Sequence, residues 1–184
     1  MQNKVKTLLP FLACVLIMIP LYIILHEGGH SLIAIMCGAK ITKFRILGSS
    51  ITSVGGDYNQ FTSSLMNAFG MLLPMFSAFL YMLFYNSKKE SILYRVFSFF
   101  FCLAPISSTL AWVVIPVIYI LGDAPASDDV TKFLNTSAIY PLWVTLGALL
   151  LLSFMLLLAW HKKIFQNYIK ALKSLGVRND SKQA

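Results

Sequence analysis

Five consecutive residues near the N-terminus, His26-Glu27-Gly28-Gly29-His30, combine two imidazoles with one carboxylate. On a helix, residues four apart share a face and lie about 6 Å apart along the axis, so both imidazoles can reach one ion. Zinc binds histidine nitrogens at roughly 2.0–2.1 Å, with tetrahedral geometry. Glu27 follows the first candidate ligand and could take a proton from a zinc-activated water as a general base. The two glycines leave room for another helix or a substrate, and the pattern predicts a hydrolytic zinc site.

The surroundings of this motif count against a chance match. The pattern fixes only three positions, and it occurs by accident in some soluble chains. Here it lies inside the long apolar run that ends at Cys37. Two histidines and a glutamate within a membrane helix are costly unless they pair, bind a metal or line a wet cavity. We therefore expect His26 and His30 to be metal ligands and Glu27 to be the catalytic residue.

A catalytic zinc ion needs a third protein ligand and one open position. His161 is a poor candidate because it follows the last apolar run beside two lysines, at the opposite membrane face. Cys37 shares a helix face with His30 but lies about 10 Å further along the axis. The polar segment after the third apolar run lies on the same side of the membrane as the motif, and it contains three carboxylates: Asp123, Asp128 and Asp129. We expect one of them to complete the site.

The composition indicates that lipid is the solvent for most of this chain. Of its 184 residues, 58% are hydrophobic and only 12% are charged, whereas soluble domains are nearer half apolar and a quarter charged. The net charge of +8 comes from basic residues at the ends and in short connections, which suits anionic headgroups. A nucleic-acid partner is not expected, because that needs a basic face on a soluble fold. The three cysteines lie in apolar stretches without paired spacing and predict no disulfide.

The chain reads as one all-α integral membrane domain, residues 1–184, with four spans. The predicted spans are 7–37, 63–85, 92–121 and 139–160. A basic tail, 161–184, follows the last span. We expect the first span to be retained, since it is longer than the apolar region of a signal peptide. Between the first two spans, β-branched residues alternate with glycines from Ile41 to Tyr58, which predicts a small membrane-associated β-hairpin. The tail is expected to form a short surface helix.

The first motif resembles that of the site-2 protease family of intramembrane zinc metallopeptidases. Their sequence H-E-x-G-H, followed four residues later by alanine, is matched in full by His26 to His30 and Ala34 inside an apolar helix. The family also has a small-residue and proline segment in the next span, which Gly70 to Pro74 resembles loosely. Its members carry membrane-associated β-structure after the first motif, where Ile41 to Tyr58 lies.

The second family motif is an aspartate, often followed by glycine, near the end of a later span, and it supplies the third ligand. This chain has no Asp-Gly pair, and Ser127-Asp128-Asp129-Val130 is its nearest equivalent. The resemblance therefore implies Asp128 as the third zinc ligand, with Asp123 as second choice.

The implied function is hydrolysis of peptide bonds in membrane proteins or membrane-associated peptides, with Zn²⁺ as cofactor and Glu27 as general base. Asn67 is either a donor to the developing oxyanion or an interhelical packing residue, and Phe44 to Tyr58 could offer a strand edge to an unwound substrate. Three other classes remain open: a non-proteolytic zinc-binding adaptor or regulator, a metal transporter, and a zinc hydrolase acting on lipids or amides. The oligomeric state is not indicated by the sequence.

The distribution of basic residues predicts cytoplasmic N- and C-termini. Most Lys and Arg residues lie in the N-terminal segment, in the turn at 86–90 and in the tail. This orientation puts the motif toward the outer side, whereas known site-2 proteases hold theirs nearer the cytosol. The expected location is the plasma membrane of a prokaryote.

Overall fold

The computed structural model describes residues 2–180, with the side chains of residue 9 and of residues 11–174. It is 75% helical, with a small antiparallel sheet after the first helix. In chain order the elements are α1 Gln2–Met36, β1 Ala39–Arg45, β2 Ser50–Gly55, α2 Gln60–Phe84, α3 Ile92–Leu121, α4 Asp129–Ser137, α5 Pro141–His161 and α6 Ile164–Asp180.

Four of the helices are long and apolar enough to cross a membrane, which confirms the predicted fold class. They cover Phe11–Met36, Gln60–Phe84, Ile92–Leu121 and Pro141–His161. Large apolar side chains remain on the outside of these helices, and on α5 Leu150 is 73% and Leu157 is 69% exposed. Such a surface is compatible with lipid as the surrounding solvent.

The ends of the helices near the predicted site follow ordinary capping rules. Asn59 precedes α2 and accepts a hydrogen bond from the backbone N–H of Thr62, whose hydroxyl accepts one in return from the N–H of Asn59. α3 ends at Gly122, whose φ of 91° lies in the left-handed region that glycine adopts without strain. Asp128 caps α4, and Pro141 occupies the first turn of α5. These caps fix where α2 and α4 begin, beside the C-terminal half of α1.

The β-hairpin lies where the sequence predicted it. β1 and β2 are antiparallel, Phe44 is opposite Ile51, and the register shifts between Ile41 and Lys43. The hairpin follows α1 directly, and the backbone N–H of Asp57 donates a hydrogen bond of 2.9 Å to the carbonyl of Cys37. Its position is therefore tied to the C-terminal end of the helix that carries the histidines.

The tail forms the expected helix, α6, and packs at the end of the bundle opposite the histidines. Tyr168 stacks on Phe99 of α3 with ring centroids 3.8 Å apart. Asn167 is buried and donates hydrogen bonds to the Tyr85 hydroxyl at 3.0 Å and to the carbonyl of Ser87 at 2.9 Å. These contacts tie α6 to the connection between α2 and α3.

Candidate metal centre

The predicted pair of imidazoles meets a carboxylate from a short helix far along the sequence. His26 and His30 lie on α1, and Asp129 is the first residue of α4. Each offers one donor atom, and within the described residues these three form a cluster that could hold a metal ion.

The three donor atoms form a nearly equilateral triangle. Nε2 of His26 lies 3.3 Å from Nε2 of His30, and Oδ2 of Asp129 lies 3.2 Å from the first nitrogen and 3.1 Å from the second. A tetrahedral ion with bonds of about 2.0–2.1 Å requires ligand atoms roughly 3.3 Å apart. The triangle therefore matches one face of a zinc tetrahedron without rearrangement.

The second ring nitrogen of His30 fixes which nitrogen faces the cluster. Nδ1 lies 2.7 Å from the carbonyl oxygen of Met66 on α2, and because a carbonyl only accepts, this nitrogen carries the proton. In the neutral ring Nε2 is then left with its lone pair directed at the other donors, as a metal ligand requires. Lone pairs that converge at about 3 Å are best satisfied by a cation between them.

Glycines allow α1 and α2 to approach each other at this level. A Cβ on Gly29 would collide with the backbone carbonyl of Phe69, and one on Gly70 would lie 2.5 Å from Nε2 of His30 and 2.9 Å from Cε1 of His26. The backbone of α2 therefore occupies the space beside Gly29 that was predicted for a neighbouring helix. Gly28 has only an ordinary contact of 3.8 Å, with Leu73.

The structure places Asp129, and not Asp128 or Asp123, against the imidazoles. Asp128 is the N-cap of α4, and its Oδ1 accepts a hydrogen bond of 2.8 Å from the N–H of Val130. A capping residue turns its side chain back onto the free N–H groups of its own helix, whereas the next residue can project away. Asp123 follows the end of α3 and is exposed, outside the cluster. The candidate third donor is therefore Asp129, one residue after the expected Asp128.

The charge state of Asp129 suits a ligand. Burial alone raises the pKa of this carboxyl, but the imidazoles of His26 and His30, when they carry a proton on Nε2, lower it by more through hydrogen bonding and charge, and the net pKa is well below its usual range. The group is therefore ionised at neutral pH, which is the form that binds a metal ion.

Of the other residues considered in the sequence, two lie beside the three donors and two lie away from them. Glu27 is 4% exposed and lines the same cavity as the three donors, as does Asn67. Cys37 and His161 are outside the cluster, as the sequence predicted. Among the described residues no fourth His, Cys, Asp or Glu joins the donors, so a metal ion bound there would have a position free of such ligands.

The donors face a cavity of about 690 Å³. β2 contributes Ser50, Ile51 and Ser53 to its lining, so the hairpin helps to form the cavity. Tyr22 and Ile23 line this cavity and also an apolar groove of about 330 Å³ between α1 and α3. Both spaces thus share lining residues on the turn of α1 just before the histidines.

Sequence reasoning did not single out several residues that shape the centre. Lys132 lines the cavity with its ammonium 3.5 Å from Oδ1 of Asp129, and the Met66 carbonyl orients His30. A signal for Asp129 was present, because an aspartate directly before a helix is a preferred N-cap and is then occupied by the backbone. No sequence pattern indicates the Met66 carbonyl.

Comparisons with protein-family models, with curated proteins and with solved structures found no match for this chain.

Proposed function

We propose that this protein is an intramembrane zinc metalloprotease of the site-2 type, located in the plasma membrane of a prokaryote. The observation that carries the proposal is the three-donor triangle with one open position and a buried glutamate, Glu27, in the same cavity. The donor set of two imidazoles and one carboxylate is one that catalytic zinc sites use.

The chemistry divides between the ion and the side chains. Zinc, when bound by His26, His30 and Asp129, would supply a Lewis acid that lowers the pKa of water and polarises a peptide carbonyl. Glu27 takes the proton from the attacking water and passes it to the leaving amine as the C–N bond breaks. Asn67 can donate a hydrogen bond to the carbonyl oxygen from its position on the cavity wall.

Two features favour catalysis over a structural zinc site in an adaptor or regulator. A structural site is closed by four protein ligands, and here three donors converge among the described residues. A structural site also needs no carboxylate beside its ligands, whereas Glu27 is buried in the cavity despite the cost of placing such a group there. Burial without a catalytic or metal-linked role would be expensive.

Transport of metal ions is disfavoured by where the donors lie. A transport path needs polar side chains along the whole depth of the bundle. Next to the metal cavity, the groove between α1 and α3 is lined mostly by apolar residues, and the hydroxyls of Tyr22 and Ser107 are its polar side-chain groups. Hydrolysis of a lipid or another amide would use the same centre. The substrate panel in the test below distinguishes these activities from proteolysis.

The surroundings of the centre support a membrane protein or peptide as substrate. Tyr22 and Ile23 line both the metal cavity and the apolar groove, so a membrane segment bound in the groove would lie next to the candidate ligands. A helical substrate hides its carbonyls, so it must be extended to be cleaved. β2 pairs with β1 on one side only and lines the cavity, so its other edge can pair with an extended chain.

The test is metal analysis and peptide cleavage by the protein purified in detergent. Wild type should contain one zinc per chain and cleave at least one of a panel of transmembrane peptides. Glu27→Gln should keep the zinc and lose cleavage, and Glu90→Gln, a change of the exposed Glu90 between α2 and α3, is the matched control. Cleavage that survives Glu27→Gln would sink the proposed mechanism. Lipid esters and non-peptide amides in the same panel decide between a protease and another hydrolase.

A further inference from the structure

The two carboxylate oxygens of Asp129 have different neighbours. Oδ2 faces the imidazoles of His26 and His30 at 3.2 and 3.1 Å. Oδ1 faces the ammonium of Lys132 at 3.5 Å. The carboxylate is thus held between a metal-ligand cluster on one side and a positive charge on the other.

Both residues belong to one helix whose position is fixed by packing. Val130 and Leu134 of α4 are buried, and the Ser64 hydroxyl of α2 donates a hydrogen bond of 3.0 Å to the hydroxyl of Thr136. Asp129 and Lys132 are three residues apart, so their side chains are neighbours on the helix surface. The direction from which the ammonium approaches Oδ1 is therefore set by the helix.

The distinction between the two oxygens matters for zinc chemistry. A carboxylate can bind a metal through one oxygen or through both. A catalytic zinc site uses three protein ligands and keeps the fourth position for water or substrate. A second oxygen from the same carboxylate would compete for that fourth position.

We propose that Lys132 is a positioning residue that holds Oδ1 of Asp129 away from the metal, so that Asp129 binds through Oδ2 alone. This inference rests on the proposed zinc centre. It assigns Lys132 a role like that of the groups that orient ligands from outside the coordination sphere, whose loss costs about 10–100-fold in metal affinity or activity.

Two simpler roles for Lys132 predict different results. A bare positive charge near a divalent cation disfavours binding by repulsion, so its removal would tighten zinc binding and leave the number of ligands unchanged. An ordinary surface ion pair within a helix contributes little to stability. Lys132 is half-exposed, and if its contact with Asp129 were such a pair, removing the lysine would change nothing at the metal.

The experiment compares Lys132→Met and Lys132→Arg with wild type, in detergent and with Co²⁺ in place of zinc. Four-coordinate Co²⁺ absorbs visible light more strongly than five-coordinate Co²⁺. Wild type and Lys132→Arg should show the strong absorption, and Lys132→Met should show the weak one. Cleavage of a transmembrane peptide by the zinc form of Lys132→Met should fall about 10–100-fold and recover in Lys132→Arg. Lys170→Met, at an exposed position of α6 at the other end of the bundle, is the matched control.

A Lys132→Met protein with the wild-type Co²⁺ spectrum would overturn the proposal, and so would a weak five-coordinate spectrum in wild type. If Lys132→Met does not fold, the Co²⁺ spectrum of Lys132→Gln is compared with that of wild type instead. The spectrum does not depend on peptide cleavage. A four-coordinate wild-type centre that cleaves no peptide therefore contradicts the protease assignment and leaves the role of Lys132 in place.

Discussion

Oδ2 of Asp129 lies 3.1 Å from Nε2 of His30, although 99 positions separate the two residues in the sequence. α2 packs against both helices that carry them, and its Met66 carbonyl accepts a hydrogen bond from Nδ1–H on the other side of the His30 ring. The centre is therefore a product of three helices and not of the His-Glu-Gly-Gly-His segment alone. Four predictions follow from this arrangement and its surroundings.

Asp129→Asn should remove zinc, whereas Asp128→Asn should not. An amide at position 129 takes away the anionic donor, and the loss in zinc affinity should be at least the 10–100-fold typical of outer-sphere changes. Asparagine is as good an N-cap as aspartate, so Asp128→Asn keeps the start of α4. Zinc dissociation constants measured by chelator competition check the pair. Retention of wild-type affinity by Asp129→Asn together with its loss in Asp128→Asn would restore Asp128 as the ligand.

Glu27→Gln should separate zinc binding from catalysis. The amide has nearly the same shape as the carboxylate but cannot accept a proton, and general-base catalysis contributes about 100- to 10,000-fold. Zinc content should therefore match that of wild type while kcat for a transmembrane peptide falls by that factor. The control is Glu90→Gln, which should leave both quantities unchanged. Loss of zinc in Glu27→Gln would instead make Glu27 a ligand.

Gly70→Ala should weaken metal binding without touching a ligand. The added Cβ would lie 2.5 Å from Nε2 of His30, so either the imidazoles or α2 must shift. We expect the zinc affinity to fall about 10–100-fold, as when a ligand loses its orientation. Gly147→Ala on α5 meets nothing within 4 Å and serves as the control. Equal zinc affinity in the two variants would show that the packing of α2 against the imidazoles is unimportant.

Ala104→Trp should slow cleavage of membrane-spanning substrates selectively. Ala104 lines the apolar groove of about 330 Å³ between α1 and α3, and an indole there fills part of this space next to Tyr22 and Ile23, which also line the metal cavity. Cleavage of a transmembrane peptide should fall at least tenfold, while that of a short water-soluble peptide and the zinc content should stay constant. Leu110→Trp adds the same ring on the exposed side of α3. An equal fall for both peptides, or for neither, argues against the groove as the substrate route.

Much of the fold could be predicted because the apolar runs are long and the connections between them polar. The helices at Gln60–Phe84 and Ile92–Leu121 begin and end within a few residues of the predicted spans. The hairpin was predicted from glycines and β-branched residues, and Gly48 and Gly55, with φ of 98° and 77°, do adopt conformations that favour glycine. In both cases the deciding information is local in sequence.

The site was only partly predictable because part of it depends on packing. The spacing of His26 and His30 is a property of one helix and could be inferred from the sequence. The choice between Asp128 and Asp129 depends on where α4 begins, and no helix was predicted in this polar segment. Applying the N-cap preference to the aspartate pair would have pointed to the second one. The distance between Lys132 and Asp129 depends on the same unpredicted helix.

The hydrogen bond from His30 to the Met66 carbonyl also bears on how the protein is made. A chain released into the membrane only as far as α3 contains both histidines and the carbonyl that orients one of them, but it lacks Asp129. The complete donor set exists only after the segment following α3 has emerged and folded against α2. For the proposed zinc centre this order predicts that metal loading is a late step in biogenesis, and that a nascent chain stalled before α4 does not yet bind zinc.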